Sequence, residues 1–520
     1  MCGIAVVYGG EDPDLADCMV GLLSHRGPDG KGATIVGKVT LAHCRLAIID
    51  PAGGHQPLFN EDKSCVVIAN GEIYNHKQLR RTLATHHQFR TRSDSEVLVH
   101  LYEEHGANMV SLLDGMFAFA VTDGERLLVA RDHIGIKPLY CGLRKNGGHR
   151  LLIFASEMKA LTPFVDAIYE LPPGSYYDTE TGWRRYYTVP DPPLRNEPIE
   201  SWVKKIRDTL ERAVVKRLMS DVPLGVFLSG GLDSAIIAAI AKRHMGKLHT
   251  FTVGVEGSHD LEAARLVARH IGSEHHEYIF TPQEVLQHLP QIIYHLESFD
   301  QDLVRSAIPT YFCSRLASDW VKVVLCGEGA DELFAGYRYY KSINDPASLH
   351  KELRRSLMTL HNINLQRVDR MTMAHGLEGR VPFLDKEMIA LALKIPPHLK
   401  LHRTEEGQLV EKWLLRVAFE DLLPKEIVWR DKEQFDEGSG TVKVLTDIIR
   451  ESVKDWDVHR YATQHVPLRL RLPEECLYHR IFTELFERPE LMVPNIGRWQ
   501  QRQPPTSQFH LNAPAPFING

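Results

Sequence analysis

The sequence predicts a strand-rich α+β half followed by an α/β half on a parallel sheet, with a mainly helical end. Three observations predict this. Residues 1–190 carry short β-type runs punctuated by glycine turns. A proline-bearing polar stretch, Val189–Pro198, then breaks both periodicities. Beyond it, helical and strand patterns alternate, as in sheets whose parallel strands are joined by crossover helices. A chain of 520 residues also exceeds what one core supports. The expected division is residues 1–190, a linker at 191–200, a second domain at 201–500, and a disordered Pro-, Gln- and Asn-rich tail at 501–520.

In order, the first half offers strands at Ile4–Tyr8, Leu46–Asp50, Val66–Asn70, Phe117–Thr122, Leu127–Asp132 and Leu151–Phe154. Gly9-Gly10, Pro51-Ala52-Gly53-Gly54 and Asn146-Gly147-Gly148 are the turns between them. A helix is expected over Glu96–His105, capped by Ser93 or Asp94. In the second half Ile206, Leu210, Val214 and Leu218 recur at helical spacing. Strands follow at Leu224–Leu228, Thr250–Val255 and Val321–Leu325, with helices at Ser234–Met245 and Leu261–Ile271. From about His350 the pattern is mainly helical.

Composition excludes several classes. A net charge of −6 gives no footprint for nucleic acid. No run is long and apolar enough to span a membrane, and the first residues lack the basic start of a signal peptide. Eight scattered cysteines form no CxxC pair, which argues against zinc or redox motifs and for reduced thiols in a cytoplasmic protein.

Cys2 is the exception among them. Removal of Met1 would leave it as the N-terminus, with a thiol nucleophile and an α-amine base on one residue. Arg45 precedes Leu46-Ala47-Ile48-Ile49-Asp50, and its fork suits a carboxylate. Asp94 suits an α-ammonium, though it also reads as a helix cap. Asn70 and the Gly71 N–H can form an oxyanion hole. Together with Cys2 these groups suit the recognition and hydrolysis of glutamine.

In the second half, a strand runs into Ser229-Gly230-Gly231-Leu232-Asp233-Ser234 at a helix start. Glycines admit a phosphate close to the backbone, and the helix N-terminus favours an anion. Asp233 makes sense there as a ligand of Mg²⁺ shared with phosphates. Strand Val321–Leu325 likewise runs into Cys326-Gly327-Glu328-Gly329-Ala330-Asp331-Glu332, where open α/β sheets place ligands. Asp331 is the expected second Mg²⁺ ligand; Glu332 reads equally as a helix cap. Lys432, in Arg430-Asp431-Lys432-Glu433-Gln434-Phe435, can neutralise charge on departing pyrophosphate.

These motifs, with Ser24-His25-Arg26-Gly27-Pro28-Asp29-Gly30, Asn70-Gly71-Glu72-Ile73-Tyr74-Asn75, Arg131–Tyr140 and Arg380-Val381-Pro382-Phe383-Leu384-Asp385, resemble those of glutamine-hydrolysing asparagine synthetases over roughly residues 1–490. The resemblance implies a four-layer αββα glutaminase of the N-terminal-nucleophile kind joined to an ATP-pyrophosphatase domain. It implies a γ-glutamyl thioester on Cys2, ammonia passing through an internal tunnel, and aspartate adenylated by Mg²⁺-ATP. The products are asparagine, AMP and pyrophosphate. By the same resemblance glutamine falls to Arg45, Ile49, Asn70, Gly71, Glu72 and Asp94. ATP falls to Leu228, Ser229, Gly230, Gly231, Asp233, Ser234, Val253, Cys326 and Gly327. Glu328 and Lys432 serve the adenylate and pyrophosphate, and Arg305 and Arg380 the acceptor. A homodimer is the family's expected assembly.

Two positions depart from the family pattern. Cys326 stands where many members have Ser or Thr, and Asp302-Leu303 replaces a Thr-Thr pair before Arg305. An acidic residue beside a dicarboxylate is unfavourable unless it turns away or meets the α-ammonium. The alternative expectation is therefore the same two-domain chemistry on another carboxylic acid. A non-catalytic protein on this scaffold would not need intact Cys2, Arg45, Asn70, Asp94, Asp233 and Glu328.

Overall fold

The computed structural model describes residues 2–146, 149–431 and 435–499. Two six-stranded sheets build the first half. One runs Ala167–Glu170, Tyr140–Asn146, His149–Ala155, Gly3–Tyr8, Val39–Arg45, Gly30–Val36. The other runs Gly182–Arg185, Ser175–Asp178, Leu127–Arg131, Gly115–Thr122, Val66–Ile73, Leu58–Phe59. Every pairing within them is antiparallel.

Strand alternation stacks them. In Gly3–Tyr8, Ile4 and Val6 join Val66, Ile68, Ala118 and Ala120 of the other sheet in one core. Ala5 and Val7 face the opposite way, towards Leu15, Ala16 and Met19 of helix Pro13–Leu22. Val67 and Ala69 likewise turn outward to Leu83, Val97, Leu98 and Leu101 of helices His76–Leu83 and Val97–His105. The result is the αββα order of layers.

The second half is centred on a five-stranded parallel sheet ordered Glu274–Ile279, His249–Gly254, Leu224–Phe227, Val323–Leu325, Glu378–Arg380. Helices Leu232–His244 and His259–Ile271 are the crossovers. The remainder is mainly helical, including Gln301–Ser318, Asn364–Met373 and Glu474–Leu485. The expected tail lies outside the described residues.

A buried ionic layer joins the halves. Arg26 pairs with Glu157 (2.6 Å) and, across the interface, with Asp369 (2.8 Å). Arg370 reaches back to Glu157 (2.7 Å) and also holds Glu297 (2.9 Å). These side chains are at most 2% exposed. Groups so buried persist only because each charge meets its opposite.

One expected strand is absent. Leu46–Asp50 forms a loop, because its carbonyls serve a guanidinium rather than a ladder. Arg45 donates to Ile49 O (3.3 Å), Asp50 O (2.8 Å) and Pro51 O (2.9 Å). Strand character sits instead in Gly30–Val36 and Val39–Arg45. The helix expected from Glu96 begins with a tight turn, Asp94–Glu96, and its cap is Ser93, whose Oγ accepts from Ser95 N at 3.3 Å.

Candidate active site

Cys2 is 7% exposed and sits at the head of strand Gly3–Tyr8. Its backbone N–H donates to Asn70 Oδ1 at 3.0 Å, while its Sγ lies 3.9 Å from Leu46 O. This contact turns the other end of the Asn70 amide: Nδ2 is buried with no partner among the described residues. Gly71 follows at φ +141°, where a Cβ would fall 1.9 Å from Met116 O, so only glycine fits. Asn70, Gly71 and Glu72 all lie within strand Val66–Ile73.

Burial raises the Cys2 thiol pKa, against the pull of the amino terminus. Burial likewise pushes the Asp94 carboxyl up to about 6, although its Oδ2 accepts from Ile73 N at 2.7 Å. Glu72 is driven well above the carboxylate range by burial and by the charges of Glu378 and Asp94. Ile49 contributes its carbonyl to the cage around Arg45.

The second site is a cavity at the carboxyl ends of the parallel strands. Leu228, Ser229, Gly231, Asp233, Ser234, Cys326, Gly327, Glu328 and Asp331 line it. Ser229 Oγ and Ser234 Oγ are 3.1 Å apart, and Ser234 Oγ donates to Gly231 O at 3.1 Å. Gly230 makes the turn at φ +72° without lining the cavity; a Cβ there would lie 2.5 Å from Ala263 Cβ. Val253 is also off the wall and fully buried, whereas its neighbour Thr252 lines the cavity with an Oγ1 that has no partner among the described residues.

Two groups that no local pattern marks complete the wall. Arg367, on helix Asn364–Met373, pairs with Glu328. Lys412 Nζ bridges Asp233 Oδ2 (2.6 Å) and Asp331 Oδ1 (2.5 Å). Lys412 is held there in the left-handed region, φ +54°, a conformation that non-glycine residues adopt mainly at caps and functional sites.

Arg380 requires a correction. It is fully buried, off the cavity, and engaged by Glu378 (2.6 Å) and the carbonyls of Arg217 (2.7 Å) and Met219 (2.5 Å). Its remaining nitrogen stands 3.6 Å from Glu72 of the first half, so it bridges the halves instead of meeting an acceptor. Arg305 too is off the wall and is forked onto Glu474 (2.7 and 2.5 Å). Asp302 does line the cavity, and Arg471 holds its carboxylate at 2.6 Å. Lys432 lies outside the described residues.

The glutamine amidotransferase domain family matches residues 1–177, and the asparagine synthase family matches residues 205–346 and 342–511. The chain is 44% identical to asparagine synthetase [glutamine-hydrolyzing] 2 of Arabidopsis thaliana, over 94% of this chain and 87% of that protein. The chain belongs to the glutamine-hydrolysing asparagine synthetase family. An Oryza sativa subsp. japonica member of that family, asparagine synthetase [glutamine-hydrolyzing] 2, is 43% identical over 94% of this chain and 85% of its own length. Within the family frame, this chain pairs the Asp302 carboxylate with a guanidinium from beyond residue 470.

Proposed function

We propose that the chain hydrolyses glutamine at Cys2 and uses the ammonia to amidate aspartate activated by ATP, giving asparagine, AMP and pyrophosphate. The observation that carries this reading is the second cavity, where the Ser229–Ser234 loop and Glu328 face one space beside a half built as a glutaminase. A glutaminase alone has no use for that wall.

With Met1 removed, the Cys2 amine takes the thiol proton as sulfur attacks the side-chain amide carbon. Asn70 Nδ2 and the Gly71 N–H donate to the oxyanion, in a setting dry enough to give such donors weight. Arg45 receives the α-carboxylate and Asp94 the α-ammonium. Helix Asn364–Met373 reaches both sites, through Asp369 to Arg26 and through Arg367 to Glu328, and ammonia made at Cys2 moves to the second site within the protein. Closure keeps that ammonia neutral and nucleophilic.

At the second site, loop hydroxyls and helix N–H groups receive the phosphates. Asp233 and Asp331 would hold Mg²⁺: both carboxylates already meet one cation, the Lys412 ammonium, and Asp233 Oδ1 is buried with no partner among the described residues. The ion would screen the triphosphate charge. The Arg471 pairing of Asp302 removes the objection to a dicarboxylate acceptor. All eight cysteines are free thiols, which fits the cytoplasm. No described helix is long and apolar enough to cross a membrane.

The deciding assay measures AMP and pyrophosphate formed from Mg²⁺-ATP and ammonia, with and without aspartate, and identifies the amide by mass. Aspartate-dependent AMP with an equal amount of asparagine is expected. Enzyme that hydrolyses glutamine yet ignores aspartate would show that another carboxylic acid is the acceptor.

The Asp94 assignment has its own signature. Its carboxyl, raised by burial to about 6, attracts an ammonium only when deprotonated. The glutamine KM should therefore fall as pH rises through 6 and level off above it, by about tenfold per pH unit below 6. Asp94→Asn should raise the KM and remove this slope. A KM that does not change between pH 5 and 7, or a slope that survives the substitution, would exclude Asp94 from ammonium binding.

A further inference from the structure

A second group of titratable side chains lies in the first half, outside the residues placed at either site. Glu61 follows strand Leu58–Phe59, and His87 follows helix His76–Leu83. His100 and Glu103 stand three residues apart on helix Val97–His105 and so share one face. His87 Nδ1 is 3.1 Å from Glu61 Oε1 and 3.7 Å from Glu103 Oε2. His100 Nδ1 is 3.4 Å from Glu103 Oε2 and 3.7 Å from Glu61 Oε2. One ligand atom from each of the four lies within 4.8 Å of all the others.

Most of these separations are too long for good N–H···O bonds, which run to about 3.2 Å. They suit donors arranged around a common centre. Four donors at zinc bond lengths of about 2.0–2.1 Å in a tetrahedron stand about 3.3 Å apart, so small side-chain rotations close this set. The carboxylates are already oriented from outside. Asn60 Nδ2 donates to Glu103 Oε1 at 2.7 Å, and Gln88 N donates to Glu61 Oε1 at 2.6 Å. Ligand orientation by such outer hydrogen bonds is the habit of metal sites. The His87 and His100 rings, with centroids 4.6 Å apart and planes tilted by 33°, also fit two imidazoles gathered at one place.

We propose that Glu61, His87, His100 and Glu103 form a zinc-binding site that fastens the segment after His76–Leu83 to helix Val97–His105. Two imidazoles and two carboxylates suit zinc better than magnesium or calcium, which prefer all-oxygen sets.

The test uses the full chain, stripped by a chelator and dialysed against micromolar Zn²⁺, with bound metal read by elemental analysis and Tm by calorimetry. One zinc per chain and a zinc-dependent rise in Tm are expected. His87→Ala and the isosteric Glu103→Gln should each lose that zinc and that rise. Both residues are partly exposed, at 13% and 25%, and retained glutamine hydrolysis without zinc would show that each variant is folded. His249, Glu274 and His276 form the other such grouping among the described residues, so His276→Ala is the control and should keep the zinc. A wild-type chain that retains no zinc, or zinc retained equally by folded His87→Ala and Glu103→Gln, would overturn the proposal.

Discussion

Cys2→Ala should lower glutamine-dependent synthesis at least about a thousandfold while ammonia-dependent synthesis stays within about twofold of wild type. The loss follows from removing the only atom of that residue able to form a thioester. Survival of the second activity follows from structure. Among the described residues the thiol's one hydrogen-bond partner is Leu46 O at 3.9 Å, so its removal strands no buried donor there. The backbone bond from Cys2 to Asn70, and that from Arg26 Nε to Cys2 O (3.0 Å), are untouched. AMP formation with glutamine or with ammonium chloride, measured on one preparation, separates the two. Loss of both in a folded variant would mean that the two sites do not act separately.

The reverse separation should follow from Asp233→Asn, with AMP formation falling by about 10²–10³ and glutamine hydrolysis unchanged. The amide keeps the shape of the side chain but not its charge. Lys412 would lose its 2.6 Å partner and remain paired with Asp331 alone, now drawn towards the space where the phosphates belong. Asn also offers a poorer oxygen to Mg²⁺. A profile of AMP formation against Mg²⁺ concentration should shift to higher concentrations. Unchanged adenylation kinetics would remove Asp233 from the metal site.

Much of this was legible in the residues, and the exceptions share a cause. Strand alternation and glycine-bearing loops place Cys2, Asn70 and Ser229–Ser234 correctly on strands and at strand ends, because period and turn chemistry are local properties. Leu46–Asp50 misleads because an apolar run reads as a strand whether its carbonyls meet another strand or, as here, the Arg45 guanidinium. Glu378–Arg380 escapes notice as a strand since its charged side chains look exposed. Both are buried against each other and against Glu72, a contact between residues far apart in sequence. Lys412 and Arg367 escape local patterns for the same reason. Nothing near either residue marks it, and only the folding of helical segments onto the acidic loop brings each to a carboxylate.

The ionic layer through Arg26 has a consequence for how this enzyme can be divided. The two catalytic halves look modular along the chain, as if one gene could be cut into two at residues 191–200. Yet cutting and separating them would leave Asp369 without Arg26 and Glu72 without Arg380. Separation would also bring these carboxylates to water, so what is lost is the matched pairing itself. The two halves are thus held by matched charges as well as by the chain that joins them.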